Sequence, residues 1–315
     1  MAEKRRQHEI RLILLLAAAC LAVYLAAAAF LLTGNSAEEQ DDAALRTAAS
    51  LTEMEVTGAD GSFRMEKNQA EWYCVTKDVP VNSTEVSVMA SSFGELTADR
   101  IIPQGTACFS QFGLDGDAYQ VTVQSQEGKK TWKVGNYNAI LDQYYVTVDD
   151  GDTIYLVPRQ QMEKCMKSLL NLVATPGLTA MNSSEIREYE VRNGTEHYTA
   201  SKSGDVFRYR ADGKMYEGNG YSAEDIFFAL KNIACDNCVT YDASESDLRN
   251  FGLDQPEIEI RLTMKDDSVF TVKVAEAEDG TGYLNAWDNQ IVYHITVREL
   301  ENLKEKISLK NQLAE

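Results

Sequence analysis

Histidine is scarce in this chain of 315 residues, which has only three: His8, His197 and His294. None stands at the close spacing that a histidine-based zinc site uses, so such a site has no support. The chain also lacks a Gly-x-Ser-x-Gly turn, a Walker loop and a Gly-x-Gly-x-x-Gly turn. Without them there is no sequence support for an α/β-hydrolase nucleophile, a nucleoside-triphosphate cradle or a dinucleotide site. Basic residues are few, 30 against 49 acidic ones, giving a net charge of -19. Four of them, Lys4, Arg5, Arg6 and Arg11, sit at the N-terminus, so the remainder is more acidic still. Nucleic acid and anionic lipid are poor partners for such a surface. We expect no catalytic residue, no cofactor and no bound metal.

Cysteine is present but dispersed. Cys74, Cys108 and Cys165 stand singly, and only Cys235-Asp236-Asn237-Cys238 has a redox-like spacing. That pair follows a helical pattern from Ser222 to about Ala234, where a helix C-terminus disfavours a thiolate. A local disulfide or two ordinary thiols is the expectation. His294 lies in an apolar strand pattern and reads as a hydrogen-bonded structural residue. Asp149-Asp150-Gly151-Asp152 reads as a hairpin turn, since the ligand spacing of an EF-hand is missing.

Uncharged runs are short with one exception, Leu12 to Leu32, 21 residues rich in Leu and Ala. At about 1.5 Å per residue, a helix of that length spans the roughly 30 Å core of a bilayer. The basic residues before it, and Glu38, Glu39, Asp41 and Asp42 after it, predict a cytoplasmic N-terminus with the remainder outside.

The rest of the chain is organised around a repeat. Phe112-Gly113-Leu114-Asp115 returns as Phe251-Gly252-Leu253-Asp254, each time before an alternating run: Tyr119, Val121 and Val123, then Ile258, Ile260 and Leu262. Alternation of this kind marks a half-buried strand. The two copies are 139 residues apart. The helix starts at Thr84 and Ser222, and the runs Ile154-Tyr155-Leu156-Val157 and Val292-Tyr293-His294-Ile295, recur at 138. In both copies the Gly can make a corner, Phe and Leu can pack on the core, and Asp can bond turn amides.

Within each copy the pattern is a meander of strands, a helix, the Phe-Gly-Leu-Asp corner, further strands and a closing helix. Asn82 with Glu85 starts the first helix, with Val86, Met89, Phe93 and Leu96 on one face. Pro158 opens a closing helix that runs through Met162, Cys165, Met166, Leu169 and Leu172. Thr296 with Glu299 starts the last one, through Leu300, Leu303 and Ile307.

The expected organisation is an α+β chain: a cytoplasmic N-terminus (1–11), a transmembrane helix (12–32), a linker (33–50), a first α+β repeat (51–173), a linker (174–183) and a second repeat (184–315). Both repeats are expected to have antiparallel sheets.

The order Trp72, Pro80, helix, Phe112-Gly113-Leu114-Asp115, strand, Lys133-Val134-Gly135, Tyr144-Tyr145, Ile154-Tyr155-Leu156-Val157 and closing helix resembles the bacterial domain-of-unknown-function family 4340. The likeness covers most of the first repeat and, more weakly, the second, where Ala275 stands opposite Gly135. The resemblance implies an exported, membrane-anchored protein beside ABC-type transporter components of the kind linked to gliding motility. It implies no activity and no site residues. The expected function is therefore a non-enzymatic extracytoplasmic scaffold or accessory subunit that contacts the membrane through residues 12–32 and an envelope protein such as an ABC-type permease. The alternative is a ligand-binding module that presents a small molecule or polymer to a transporter. A deep apolar cleft with convergent polar groups favours the module; a flat exposed patch of roughly several hundred Å² without a pocket favours the scaffold.

Overall fold

The computed structural model describes residues 45–47, 50–59, 61–102, 109–116, 118–176, 183–203, 206–217, 220–287 and 289–313. Two large antiparallel sheets dominate. The first is built from β1 (Leu51–Gly58), β2 (Gly61–Asn68), β3 (Glu71–Cys74), β4 (Arg100–Ile102), β5 (Tyr119–Ser125), β6 (Gly128–Asn138), β7 (Gln143–Val148) and β8 (Ile154–Pro158). The second contains β9 (Ile186–Asn193), β10 (Glu196–Ser203), β11 (Val206–Ala211), β12 (Lys214–Glu217), β13 (Cys235–Thr240), β14 (Ile258–Met264), β15 (Val269–Glu276), β16 (Gly282–Ala286) and β17 (Val292–Ile295). Among the described residues seven α-helices accompany them: α1 (Ser83–Ser92), α2 (Arg159–Cys165), α3 (Leu169–Leu172), α4 (Gly220–Lys231), α5 (Glu245–Asn250), α6 (Val297–Ile307) and α7 (Leu309–Gln312).

This corrects the expected fold class. The described residues are mostly antiparallel sheet, four of these seven helices have seven residues or fewer, and none is long and apolar enough to cross a membrane. The transmembrane helix expected over residues 12–32 lies outside the described residues. Apolar spacing overstates helix here because it runs on, in short segments, past the points where the backbone turns. The closing helix expected through Leu172 shows this. It stops at Cys165, Met166 leaves helical geometry at φ -100° and ψ 81°, and Ser168 starts α3 afresh. The Ser168 N–H and hydroxyl both donate to Asn171 Oδ1, local bonds of the kind that compete with a continuous helix.

Strand order is the same in the two sheets. The first reads β3-β2-β1-β5-β6-β7-β8-β4 and the second β12-β11-β10-β9-β14-β15-β16-β17-β13, with β12 as an additional edge strand. In both, a meander pairs through its first strand with the strand that follows the Phe-Gly-Leu-Asp corner. Alternation sets the buried face. Met54 and Val56 of β1 and Val121 and Val123 of β5 point inward, as do Tyr189 and Val191 of β9 and Ile258, Ile260 and Leu262 of β14. Thr122 and Thr131 hydroxyls meet at 3.0 Å on the opposite face of the first sheet. On the second sheet that face holds Glu190 with His197 at 2.8 Å and with Arg192 at 3.3 Å. One apolar and one wet face per sheet is what antiparallel sheets permit.

The described residues group into two compact units, one comprising those up to Ala70 with Ser87–Met166, the other Glu71–Val86 with Lys167–Glu315. In the second, Val81 bridges Val173, Asn82 N–H donates to Leu172 O at 2.8 Å and Ala174 N–H donates to Pro80 O at 2.9 Å.

Candidate functional site

The Phe-Gly-Leu-Asp corners come first, because the chain is organised around them. In the second copy the corner ends α5. Phe251 is the C-cap, Gly252 follows at φ +74°, its N–H bonds Arg249 O at 3.0 Å, and the Leu253 N–H reaches back to Leu248 O at 2.8 Å. These two bonds form a Schellman cap, which needs a left-handed residue and a following apolar one. The first copy repeats them: Gly113 at φ +68° donates to Ser110 O and Leu114 to Phe109 O. Leu114 and Leu253 are buried, and Phe112 stacks on Tyr145 as Phe251 does on Tyr283, at 4.6 and 4.8 Å between centroids. Asp115 and Asp254 are exposed, and Asp254 faces Arg249 at 3.8 Å. Backbone carbonyls, rather than these carboxylates, satisfy the turn amides named above. The repeated motif is therefore a device of the fold.

Cys235 and Cys238 lie on the edge strand β13, where the sequence pattern carries the preceding helix to Ala234 and gives no sign of a strand. Both are free thiols. Burial, reinforced for Cys235 by the Asp236 carboxylate, pushes Cys235 up to about 12, and burial pushes Cys238 up to about 11. Neither supplies a thiolate near neutral pH. Asp236, between them, accepts from or pairs with His294 Nδ1 at 2.7 Å across β13 and β17. That gives His294 the structural partner its pattern suggests. A His–Asp pair can act as a base only where a nucleophile or a substrate stands within reach of it, and these neighbouring thiols are held protonated. Among the described residues no group of three or more His, Cys, Asp or Glu side chains could hold a metal.

Asp149 and Asp150 have φ of 52° and 53°, and Gly151 N–H closes on Val148 O at 2.9 Å. This is a type I′ hairpin turn. Asp149 Oδ1 accepts from Thr131 N–H at 2.8 Å and Asp150 pairs with Lys133.

A buried polar cluster that the sequence did not reveal lies in the second unit. The hydroxyls of Tyr189 and Tyr209 are 3.0 Å apart and lie 3.3 and 3.2 Å from Gln312 Oε1. Tyr198 donates to Ile307 O at 2.7 Å, and Gln312 Nε2 to Lys306 O at 2.7 Å. Burial pushes all three phenols up, away from ionisation. The cluster pins α7 to the sheet and leaves no hydroxyl aimed at solvent. The three tyrosines stand singly on β9, β10 and β11, and the glutamine that joins Tyr189 and Tyr209 is over a hundred residues away.

The remaining candidate is an open hollow of about 760 Å³ lined by Glu71–Val81 and Ser83. It lies beside β3, the edge strand of the first sheet. Tyr73 and Val75 are 49 % and 46 % exposed there, whereas Trp72 is buried. Its lining is a short stretch of chain that runs from β3 through the following loop to Ser83 at the start of α1, whose hydroxyl accepts from the Trp72 N–H at 2.9 Å. An exposed strand edge with apolar side chains beside it can take up an extended segment of another chain.

Comparison with known proteins gives one match. The family described as domain of unknown function (DUF4340) matches residues 72–256. No curated protein and no solved structure matches the chain.

Proposed function

The chain belongs to the DUF4340 family, and from that premise we propose that it is a non-enzymatic scaffold or accessory subunit of an envelope transporter complex, working outside the cytoplasm. The observation that carries this reading is the hollow beside β3. It is open, its lining runs only from β3 to the start of α1, and it exposes Tyr73 on the edge strand and Val75 just after it. Sites for small molecules are enclosed and draw polar groups from several elements; a surface for another protein needs neither feature. The chemistry agrees, since burial holds Cys165, Cys235 and Cys238 in their protonated, unreactive form.

Location is part of the same proposal. Its support is the uncharged run Leu12 to Leu32 behind Lys4, Arg5, Arg6 and Arg11, which favours membrane association with the acidic remainder outside. The transporter as partner rests on the sequence resemblance described above. Crosslinking in intact membranes, followed by purification of the full chain and identification of what accompanies it, tests the reading. Recovery of an ABC-type permease or its ATPase supports it. Reproducible recovery of the chain alone sinks it.

A further inference from the structure

We propose that the tip of the β6–β7 hairpin, Ile140 with Leu141, is a preformed anchor that inserts into an apolar pocket with a basic rim on a partner protein. The inference rests on the scaffold reading and names the surface that would serve it. Ile140 is 94 % exposed and Leu141 36 %. An isoleucine so fully in water gains nothing for the fold, because apolar area stabilises only when it leaves water.

The tip is nevertheless rigidly built. Asn138 Oδ1 accepts from the N–H groups of Ile140 and Leu141 at 3.1 and 3.2 Å, and Asn138 Nδ2 donates to the Tyr145 hydroxyl at 2.8 Å. The Tyr137 hydroxyl donates to Asp142 Oδ1, and Arg159 holds the same carboxylate at 2.9 Å. Tyr137 and Tyr144 close the base of the hairpin with ring centroids 5.1 Å apart. An apolar side chain already held in place loses little freedom on binding, which is the property of an interface hot spot.

The duplication supplies an internal control. The corresponding hairpin of the second sheet, between β15 and β16, turns through Ala277, Glu278, Asp279, Gly280 and Thr281. Asp279 Oδ1 accepts from the Thr281 N–H at 3.0 Å and its hydroxyl at 2.6 Å, so this tip is equally ordered without a large apolar side chain. The hairpin therefore does not require Ile-Leu at its tip.

Charge selects the occupant. Beside the tip Asp142 and Glu163 share a single guanidinium, Arg159, at 2.9 and 3.6 Å. Insertion of Ile140 into an anionic bilayer would carry this excess of carboxylate to a negative surface, which is unfavourable. A protein pocket with basic residues around its mouth suits both the apolar tip and its acidic shoulder.

The test places a photoreactive phenylalanine analogue at Ile140 of the full-length chain in its own cells, with a control chain carrying the analogue at Glu278 instead. The expected result is an adduct from position 140, absent from 278, with one envelope protein whose labelled residues line an apolar pocket rimmed by Lys or Arg. Leu141→Ser should lower that adduct on the order of tenfold while lowering the melting temperature of the chain by only about 2–4 °C, because the side chain is partly covered. An adduct of twice the chain's mass, labelled lipid alone, equal labelling from both tips, or none overturns the proposal. If crosslinking of the whole chain recovers a partner but position 140 does not, the anchor fails and the scaffold reading stands. If neither does, both fail.

Discussion

At Gly135 the carbonyl oxygen of Phe112 occupies the place a side chain would take: an added Cβ would lie 2.1 Å from it. The equivalent residue in the second sheet is Ala275, whose Cβ would sit 3.2 Å from one added to Gly252. The corner thus packs tightly on its strand in one copy and with room for a methyl in the other. Gly135→Ala should destabilise the protein by about 3 kcal/mol, the upper end of overpacking, because backbone must move. Ala275→Gly should cost only about 1 kcal/mol, the usual loss on placing Gly in a strand. Urea unfolding of both variants checks the ordering; if Ala275→Gly proves the more damaging, this account of the corner is wrong.

Thiols give a second prediction at this scale. Burial pushes Cys165 and Cys235 up to about 12 and Cys238 up to about 11, from an ordinary value of 9.0. The folded chain therefore keeps protons that the unfolded chain releases from about pH 9 upward. Their contribution to stability is complete below pH 9 and declines as pH rises toward 12. The melting temperature should fall between pH 8 and pH 10.5. A constant or rising value across that window would count against buried, neutral thiols.

Among elements, those whose sequence signals are local were legible. Asn82 Oδ1 accepts from the Thr84 and Glu85 N–H groups at 3.1 and 3.2 Å, and Val86 and Met89 are buried on that helix as its start and spacing imply, whereas the helix ends at Ser92 and Phe93 and Leu96 are buried beyond it. Thr296 Oγ1 accepts from Glu299 N–H at 3.4 Å, and Leu300, Leu303 and Ile307 are buried. Elements whose identity depends on distant partners were not. Cys235–Thr240 carries no clean alternation, and it is a strand because β17 supplies its ladder, with register shifts on both sides of Cys238. α5 was within reach, since Ser244 and Asp247 form a capping box, but its six residues show no apolar stripe. The hollow beside β3 was illegible for the same reason as the tyrosine cluster: neither leaves a periodic trace.

That cluster decides how the last helical turn is held. Gln312 is 1 % exposed and is the acceptor next to two buried phenols, so a leucine there would remove that acceptor and break the bond from its amide to Lys306 O. Gln312→Leu should cost about 1–3 kcal/mol, the penalty for buried polar groups that lose their partner. Tyr189→Phe removes one hydroxyl and leaves the Tyr209–Gln312 bond, so it should cost less. Thermal unfolding of both variants reads the difference, and equal stability of Gln312→Leu and the parent would remove the cluster's role in fastening α7.

For the whole molecule, the question is what a cut between Ala174 and Ser183 would do. The repeat in the sequence places a boundary there, yet the second compact unit includes Glu71–Val86 and Lys167–Ala174. Within that unit α3 packs on β13, the Tyr293 hydroxyl donates to Ala174 O at 2.9 Å, and Lys167 pairs with Glu85 at 2.8 Å. A nick would thus fall inside a packed unit, with β9 to β17 on one side and α3 on the other. Fragments separated by a protease at this point should stay together on size exclusion in native buffer and part only in denaturant. The segment from Ser184 onward, expressed alone, should melt lower than it does in the nicked complex, because it lacks the helical turn α3 that packs on β13. Free fragments of undiminished stability would show instead that each sheet with its own helices is sufficient, and that Glu71–Val86 contributes nothing to the second.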